Sequence, residues 1–221
     1  MPSTEPKYLS RPWFARRGLW AFNRAFCRAY HQLRVVAPPC LPRSGAAILV
    51  CNHISGLDPL LIQSASPRTI TWMMAREYYD LDSLGWVFRS LDAIPVDRNG
   101  RDVAATRSAM RALAEGKVLG IFPEGKIEPN RELLPFQTGV AMMAFKTDTP
   151  IYPTYLDGTM RGKEIGRAIG EAQRATLNFG PPLRLGDERG GKRDFEAMTE
   201  SIRQAVQTLA RETPLPRSKS A

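Results

Sequence analysis

Residues 46–58 read AAILVCNHISGLD, and in them a short apolar run passes directly into a polar turn. The apolar run, residues 46–51, has the composition of a strand that is buried on both faces of a sheet. His53 and Asp58 lie in the turn that follows it. Because the ends of sheet strands are natural places for reactive side chains, this turn is predicted to carry a functional site.

Extended and helical patterns alternate along the chain beyond this strand. Extended segments are predicted at residues 69–75, 93–96, 118–122, 151–155 and 175–179, and helices at residues 58–64, 83–90, 102–114, 139–146 and 194–211. Strands that alternate with helices predict an α/β fold, with a mixed, largely parallel sheet flanked by helices. No internal repeat or linker interrupts the pattern, which predicts one domain over residues 45–212.

A basic amphipathic helix is predicted over residues 13–36. Its apolar side carries Leu19, Phe22, Phe26, Tyr30 and Leu33, and another face carries Arg17, Arg24, Arg28 and His31. Such a helix can lie in the headgroup layer of a membrane, or it can pack on its own domain with a solvated face. Trp13 and Trp20 favour the membrane, because indole rings concentrate at that boundary. Residues 1–44 are therefore predicted to be an N-terminal amphipathic membrane-interface segment.

The positive charge is concentrated at the N-terminal end. Of the formal net charge of +9, residues 1–44 hold +7, from eight Lys and Arg side chains and the single acid Glu5. A basic end on a nearly neutral body predicts contact with an anionic surface, either lipid headgroups or nucleic-acid phosphate. At the other end, residues 213–221 are predicted to be a disordered tail.

Several classes of protein fit the sequence poorly. No apolar run approaches the roughly 18 residues that span a bilayer, and no signal-peptide pattern is present. The three cysteines form no C-x-x-C pair, which argues against a disulfide framework or a zinc site. Because His31 and His53 are the only histidines, no metal site is expected. A reducing, cytosolic setting is the simplest inference.

His53 and Asp58 suit general base catalysis. An imidazole can accept a proton near neutral pH, and a carboxylate five residues further on can hold its second nitrogen. The nucleophile would then come from the substrate. The alternative is structural, with Asp58 as the N-cap of a helix that has Pro59 in its first position.

Four short blocks follow one another along the chain. They are Asn52-His53-x-x-x-x-Asp58, Ile94-Pro95-Val96-Asp97-Arg98, Phe122-Pro123-Glu124-Gly125 and Pro150-Ile151-Tyr152-Pro153. Over about residues 46–160 this series resembles the glycerolipid acyltransferases, the family of bacterial 1-acylglycerol-3-phosphate acyltransferases, whose first block is NHxxxxD. Four ordered blocks make a chance match much rarer than a single short motif does.

The resemblance implies a role for each matched residue. His53 would be the general base and Asp58 its partner, and substrate binding would involve Asn52, Arg98, Glu124, Gly125 and Lys126. An arginine suits bidentate contact with phosphate, and a glycine lets the backbone approach a ligand closely. The residues alone leave two alternatives open: Arg98 could pair with a surface acid, Asp97 or Asp92, and residues 123–125 could be an ordinary turn.

Two positions depart from the family pattern. Asp92 stands where the second block usually has glycine, and Ile127 stands where the third block usually has arginine. The resemblance associates that arginine with the phosphate of the acceptor. Lys126 or Arg131 could supply the charge instead, although lysine lacks the planar fork of a bidentate contact.

The resemblance implies an acyltransferase of phospholipid biosynthesis. Acyl-CoA or acyl carrier protein would be the acyl donor, without a further cofactor. A lysophospholipid, first of all 1-acylglycerol-3-phosphate, would be the acceptor, and another lysolipid or a phosphate-free lipid is the alternative. The enzyme is expected on the cytoplasmic face of the cell membrane, peripheral or monotopic, with residues 9–36 on the anionic lipid surface.

Two rival functions are less well supported. A hydrolase would use the same His and Asp pair with water or a protein serine, yet the chain has no G-x-S-x-G elbow. A nucleic-acid-binding protein is favoured only by the basic residues 1–44, which no recognised nucleic-acid motif accompanies. A nucleic-acid partner is therefore not expected.

Overall fold

The computed structural model describes residues 13–80, 85–98, 102–127, 132–160, 165–185 and 194–214. Predictions for residues 9–12, 83–84 and 215–221 lie outside these ranges, as does the prediction for Arg131.

Helices and strands alternate along most of the described chain. The helices are α1 (Trp13–Ala29), α2 (Asp58–Ala65), α3 (Arg76–Tyr79), α4 (Gly85–Ser90), α5 (Val103–Ala114), α6 (Gly139–Thr147), α7 (Ile165–Gly170) and α8 (Phe195–Glu212). The strands are β1 (Arg34–Val35), β2 (Ala47–Cys51), β3 (Ile70–Ala75), β4 (Ile94–Val96), β5 (Val118–Ile121), β6 (Ile151–Asp157) and β7 (Thr176–Phe179).

In the described residues these strands form one seven-stranded sheet, in the order β1-β7-β6-β2-β5-β3-β4. All neighbouring pairs are parallel except β6 and β7, which are antiparallel. The prediction of a mixed, largely parallel sheet flanked by helices is confirmed. Strand β2 lies between β5 and β6, so the turn after β2 adjoins the carboxyl end of β5.

Strand β2 explains why the sheet needs cover on both faces. All five of its residues are buried, and their side chains alternate between two separate clusters. Leu49 and Cys51 pack on one face with residues of α1 and α2, whereas Ile48 and Val50 pack on the other with residues of α5, α6 and α8. Burying each such aliphatic side chain stabilises the fold by about 1.5–3 kcal/mol.

The N-terminal helix is shorter than predicted. Helix α1 ends at Ala29, and Gln32 has a left-handed φ of 44°, which turns the chain. Strand β1 then pairs with β7, with Arg34 opposite Thr176. The prediction of one helix over residues 13–36 is therefore wrong at its C-terminal end, as is the prediction that His31 lies on a polar helix face, because its side chain is fully buried.

Helix α1 packs on the domain along one side only. Cys27 is fully buried, and the Trp20 indole donates a hydrogen bond to the Ser66 carbonyl (3.1 Å). Leu19 and Phe22, in contrast, are 46% and 68% exposed. Among the residues that the structure describes, no helix is both long and apolar enough to cross a membrane.

Candidate active site

His53 and Asp58 form a hydrogen-bonded pair at the end of β2. Nδ1 of His53 lies 3.0 Å from Oδ2 of Asp58. The Asp58 side chain is fully buried, whereas the His53 side chain is 14% exposed and lines a large cavity. Because Nδ1 faces the carboxylate, Nε2 is the ring nitrogen left for a substrate. This is the arrangement of a general base with an orienting acid.

Several donors hold the Asp58 carboxylate. Oδ2 also accepts from the backbone N–H groups of Ile54 (2.8 Å) and Ser55 (2.9 Å), and Oδ1 accepts from the Thr159 hydroxyl (3.2 Å). Asp58 is itself the first residue of α2, and its carboxylate bonds backwards to the turn. Its contacts therefore support the role of an orienting acid more than that of an N-cap.

Glu124 joins the third block to the first. Its Oε1 accepts from the backbone N–H of His53 (2.9 Å), and its Oε2 accepts from the backbone N–H of Leu134 (3.2 Å). Parallel pairing of β2 with β5, which sets Val50 opposite Ile121, brings the two blocks together. Glu124 is buried, so its contacts fix the backbone beside the candidate base.

Gly125 has a conformational reason for being glycine. Its φ of 72° is left-handed, and a Cβ there would lie 2.3 Å from Nε2 of Gln137. Residues 123–125 could be an ordinary turn or part of the site, and the two interpretations are compatible. Glu124, Gly125 and Gln137 all line the cavity. None of the sequence motifs indicates Gln137 as a residue of the site.

Asn52 does not lie in the cavity. Its amide donates to the Leu156 carbonyl (2.9 Å) and accepts from the Leu156 backbone N–H (2.9 Å), and its side chain is buried. These two bonds tie the end of β2 to β6. Both polar ends of the Asn52 amide are thus engaged by Leu156, which gives the residue a structural contact, and its part in substrate binding stays a prediction.

The cavity beside His53 has a volume of about 1050 Å³. Much of its wall is apolar, including Trp72, Met73, Met74, Phe88, Met142 and Met143. These residues come from three separate elements, the strand β3 and the helices α4 and α6. A cavity of this size and composition suits a long apolar ligand held beside a reactive group.

Cationic side chains also line this cavity. Arg98 and Lys126 are exposed there, and Lys146 joins them from α6; the predicted substrate binding by Arg98 and Lys126 stays a prediction. Arg98 forms a long ion pair with Glu77, 3.9 Å between two exposed groups, which contributes little to stability. Lys146 lies one helical turn beyond Met142, so helix periodicity could have placed it on the cavity side.

Asp92 adopts the backbone conformation required at a position where the family usually has glycine. Its φ is 55°, in the left-handed region that Asp adopts more readily than most residues. Its carboxylate lies 3.2 Å from Nζ of Lys117. Asp92 therefore pairs with Lys117, and the alternative of an Arg98–Asp92 ion pair is not what the structure shows.

Cys51 lies directly behind the pair. Complete burial raises the pKa of the Cys51 thiol well above its usual range, and the carboxylates of Asp58 and Glu124 raise this pKa further. A thiol that stays protonated is a poor nucleophile. Within the described ranges, this site included, no three His, Cys, Asp or Glu side chains are grouped so as to hold a metal ion.

Comparisons with known proteins identify similar chains whose names describe acyltransferases. The 1-acyl-sn-glycerol-3-phosphate acyltransferase of Bacillus subtilis is 26% identical over 172 residues, which are 76% of this chain and 83% of the relative. The probable 1-acyl-sn-glycerol-3-phosphate acyltransferase of Mycoplasma pneumoniae is 30% identical over 149 residues, which are 63% of this chain. This chain spans only 54% of that relative.

The fold matches the crystal structure of the 1-acyl-sn-glycerophosphate (LPA) acyltransferase from Thermotoga maritima. The TM-score is 0.69 at 23% identity, and the match covers 93% of this chain and 80% of the other. The sequence model of the family described as Acyltransferase matches residues 32–157, a range that contains all four blocks. This chain therefore belongs to the Acyltransferase family.

Proposed function

We propose that the protein transfers a fatty acyl group from the thioester of acyl-CoA or acyl carrier protein to the hydroxyl of a lysophospholipid, with 1-acylglycerol-3-phosphate as the first acceptor to test. The observation that carries the proposal is the buried pair of Asp58 and His53 at the wall of a large apolar cavity. The names of the relatives from Bacillus subtilis and Mycoplasma pneumoniae support this acceptor.

The proposed reaction is a direct transfer. His53 removes the proton from the acceptor hydroxyl, and the oxygen attacks the thioester carbonyl carbon. The tetrahedral intermediate then collapses, an ester forms, and the departing thiolate takes the proton from His53. Asp58 holds the imidazole in position and stabilises its protonated form. No covalent acyl-enzyme, metal or further cofactor takes part.

The cavity supplies a place for the acyl chain. Its wall contains Met73, Met74, Met142 and Met143, unbranched side chains that adapt to a flexible ligand. Each methylene group that leaves water for such a wall contributes about 0.8 kcal/mol. The acyl chain would therefore be held beside His53 by many small contributions.

The acceptor phosphate would meet the cationic side of the cavity. Arg98, Lys126 and Lys146 all line it, and the exposed guanidinium of Arg98 suits bidentate phosphate contact. Ile127 also lines the cavity and brings no charge. This substitution supports a second candidate, the same reaction with a phosphate-free lipid hydroxyl as acceptor.

The proposed place of action is the cytoplasmic face of the membrane, with α1 on anionic lipid. Leu19 and Phe22 are exposed on this helix, whose sequence also holds Arg24 and Arg28. Apolar side chains can enter the acyl boundary while arginines meet lipid phosphate. Trp20, predicted to lie at this interface, donates to the Ser66 carbonyl, stacks under the Arg24 guanidinium (5.1 Å) and remains 36% exposed. The side chain of Trp13 lies outside the described set.

One acceptor panel tests the proposal. Purified protein is incubated in vesicles with one acyl-CoA and lysolipids with and without phosphate, and products are detected by mass. We expect acylated lysophosphatidic acid, and we expect His53→Ala to abolish product while keeping the thermal unfolding midpoint. A folded His53→Ala enzyme with near-normal turnover would overturn the role of His53. Strict use of phosphate-free acceptors would favour the second candidate.

A further inference from the structure

Three aromatic rings are stacked beside the Asp58 contact. The imidazole of His53 lies parallel to the ring of Phe122, with 4.0 Å between centroids and 14° between planes. Phe122 in turn lies parallel to the indole of Trp72, at 4.9 Å and 8°. The stack runs from the wall of the cavity, where Trp72 is 7% exposed, to the candidate base.

The sheet makes room for this stack at a single glycine. Trp72 of β3 pairs with Gly120 of β5. A Cβ at Gly120 would lie 2.5 Å from the Trp72 ring and 2.6 Å from Ile70. Only a residue without a side chain lets the indole lie flat across β5, two residues before Phe122. The glycine, the indole and the phenyl ring thus form one arrangement that ends on His53.

We propose that Phe122 and Trp72 are positioning residues for His53, which fix the plane of its imidazole while Asp58 holds its Nδ1. The inference rests on the proposed role of His53 as the base. The plane of the ring turns about the Cβ–Cγ bond, a torsion with broad minima, and one hydrogen bond at Nδ1 limits this rotation only in part. A flat ring 4.0 Å away removes that freedom and keeps Nε2 directed into the cavity.

The stack also suits the charge that forms during the reaction. When His53 takes the acceptor proton, its ring becomes a cation lying over the face of Phe122. The negative face of an aromatic ring attracts a cation within about 6 Å of its centroid. The stabilisation is therefore larger after proton transfer than before it, and the residues would act mainly on kcat.

A spectroscopic experiment reads the stack without using activity. The chain has two histidines, so protein labelled with ¹³C at histidine Cε1 gives two assignable signals, and the His53→Gln variant identifies that of His53. The ring current of Phe122 should move the His53 signal upfield. We expect Phe122→Leu to return this signal towards its free position, Phe122→Tyr to keep it, and Trp72→Leu to move it in part. A His53 signal that is unchanged in Phe122→Leu would overturn the proposal.

Kinetics of the same variants give a second readout. Phe122→Leu should lower kcat by about 3- to 10-fold with little change in KM for the acyl acceptor, and Phe122→Tyr should recover most of it. Phe179→Leu is the control, because it removes a ring of the same kind from β7, two strands away from β2; Phe179 is buried and Phe122 is partly buried. It should lose stability and keep kcat.

The proposed function and the positioning role of the stack can fail independently. An active His53→Ala enzyme would remove the proposed function. An inactive His53→Ala enzyme combined with unchanged kcat in a folded Phe122→Leu enzyme would leave the function in place and remove the positioning role. Equal losses of kcat in Phe122→Leu and Phe179→Leu would also remove it, because the effect would then be one of general packing.

Discussion

The Thr159 hydroxyl donates a hydrogen bond of 3.2 Å to Oδ1 of Asp58, across a sequence separation of 101 residues. Both residues are buried, and the other carboxylate oxygen already serves His53, Ile54 and Ser55. Thr159 lies just beyond β6, the strand that Asn52 ties to β2. The Asp58 carboxylate is therefore held from two neighbouring strand ends.

Replacing Thr159 by Val should lower kcat by about 10-fold, because removing a hydrogen bond to a carboxylate costs about 1.5–3 kcal/mol and loosens the group that holds His53. Thr159→Ser keeps the hydroxyl and should retain most of the activity. Steady-state kinetics with saturating acyl donor would measure both. Equal rates for Thr159→Val and wild type would show that Asp58 needs no support at Oδ1.

Asp58→Asn should reduce kcat by about 10³- to 10⁴-fold, as expected when an orienting carboxylate becomes an amide. The amide nitrogen cannot accept from the backbone donors of Ile54 and Ser55, so the thermal midpoint should fall as well. Calorimetry and turnover would be measured on the same preparation. Full activity in a folded Asp58→Asn enzyme would remove the pair from the mechanism.

Ile127→Arg should raise the preference for phosphate-bearing acceptors over phosphate-free ones by about 10-fold, measured as the ratio of kcat/KM values. Ile127 lines the cavity, so an arginine there can reach a ligand. In the control variant Ile127→Gln the new side chain is polar, uncharged and similar in size to isoleucine. The ratio of kcat/KM values for this variant should stay near that of the wild type. A similar rise in Ile127→Gln would attribute the change to polarity and not to charge.

The stability of the fold should fall as the solution is acidified, in part through His31. Burial lowers the pKa of His31, so the unfolded chain binds the proton first, near the usual pKa of about 6.5. The contribution of neutral His31 is complete above that value and is lost as the pH falls through the lower pKa of the folded state. Neither ring nitrogen has a hydrogen-bond partner among the described residues, and the ring packs edge-on against Phe26 and Tyr30.

Urea unfolding between pH 5 and 8, compared with that of His31→Leu, would measure this contribution. The free energy of unfolding of the variant should depend less on pH than that of the wild type, and the difference should appear below pH about 6.5. Parallel curves for the two proteins would contradict the prediction.

Phe22→Ser should weaken binding to anionic vesicles by about 10-fold, because Phe22 is the most exposed large apolar side chain identified on α1 and a buried phenyl ring contributes about 1.5–3 kcal/mol. Co-sedimentation with vesicles of anionic and of neutral lipid would measure it, with acyl transfer to a short-chain, water-soluble acceptor as the control for folding. Unchanged sedimentation would place the membrane contact on another surface.

Local pattern was enough to predict what local residues determine. Neighbouring positions alone indicate the strand over residues 46–51 and the pairing of His53 with Asp58. An apolar run and a spacing of five residues can be recognised without knowing which distant residues they contact. The sequence predicts too long a helix α1 for the opposite reason. Its apolar period continues to Leu33, but pairing of Arg34 with Thr176 competes for the backbone.

The parts of the site that were missed depend on distant pairing. Nothing near Thr159 indicates that its hydroxyl faces Asp58, and nothing near Asn52 indicates that Leu156 occupies both ends of its amide. The stack on His53 depends on β3 and β5 being neighbours in the sheet. The alternation of strands and helices in the sequence does not predict this strand order. Such contacts are set by register, which a single sequence specifies only weakly.

The donors around Asp58 also bear on reorganisation energy. In water, dipoles must rotate each time a charge appears beside a reacting group, and that rotation raises the barrier. Here the amides of Ile54 and Ser55 and the hydroxyl of Thr159 are oriented once, when the chain folds. In the proposed reaction, each proton that reaches His53 therefore meets a field already in place, and the cost of arranging it would appear in the stability of the protein and not in its turnover.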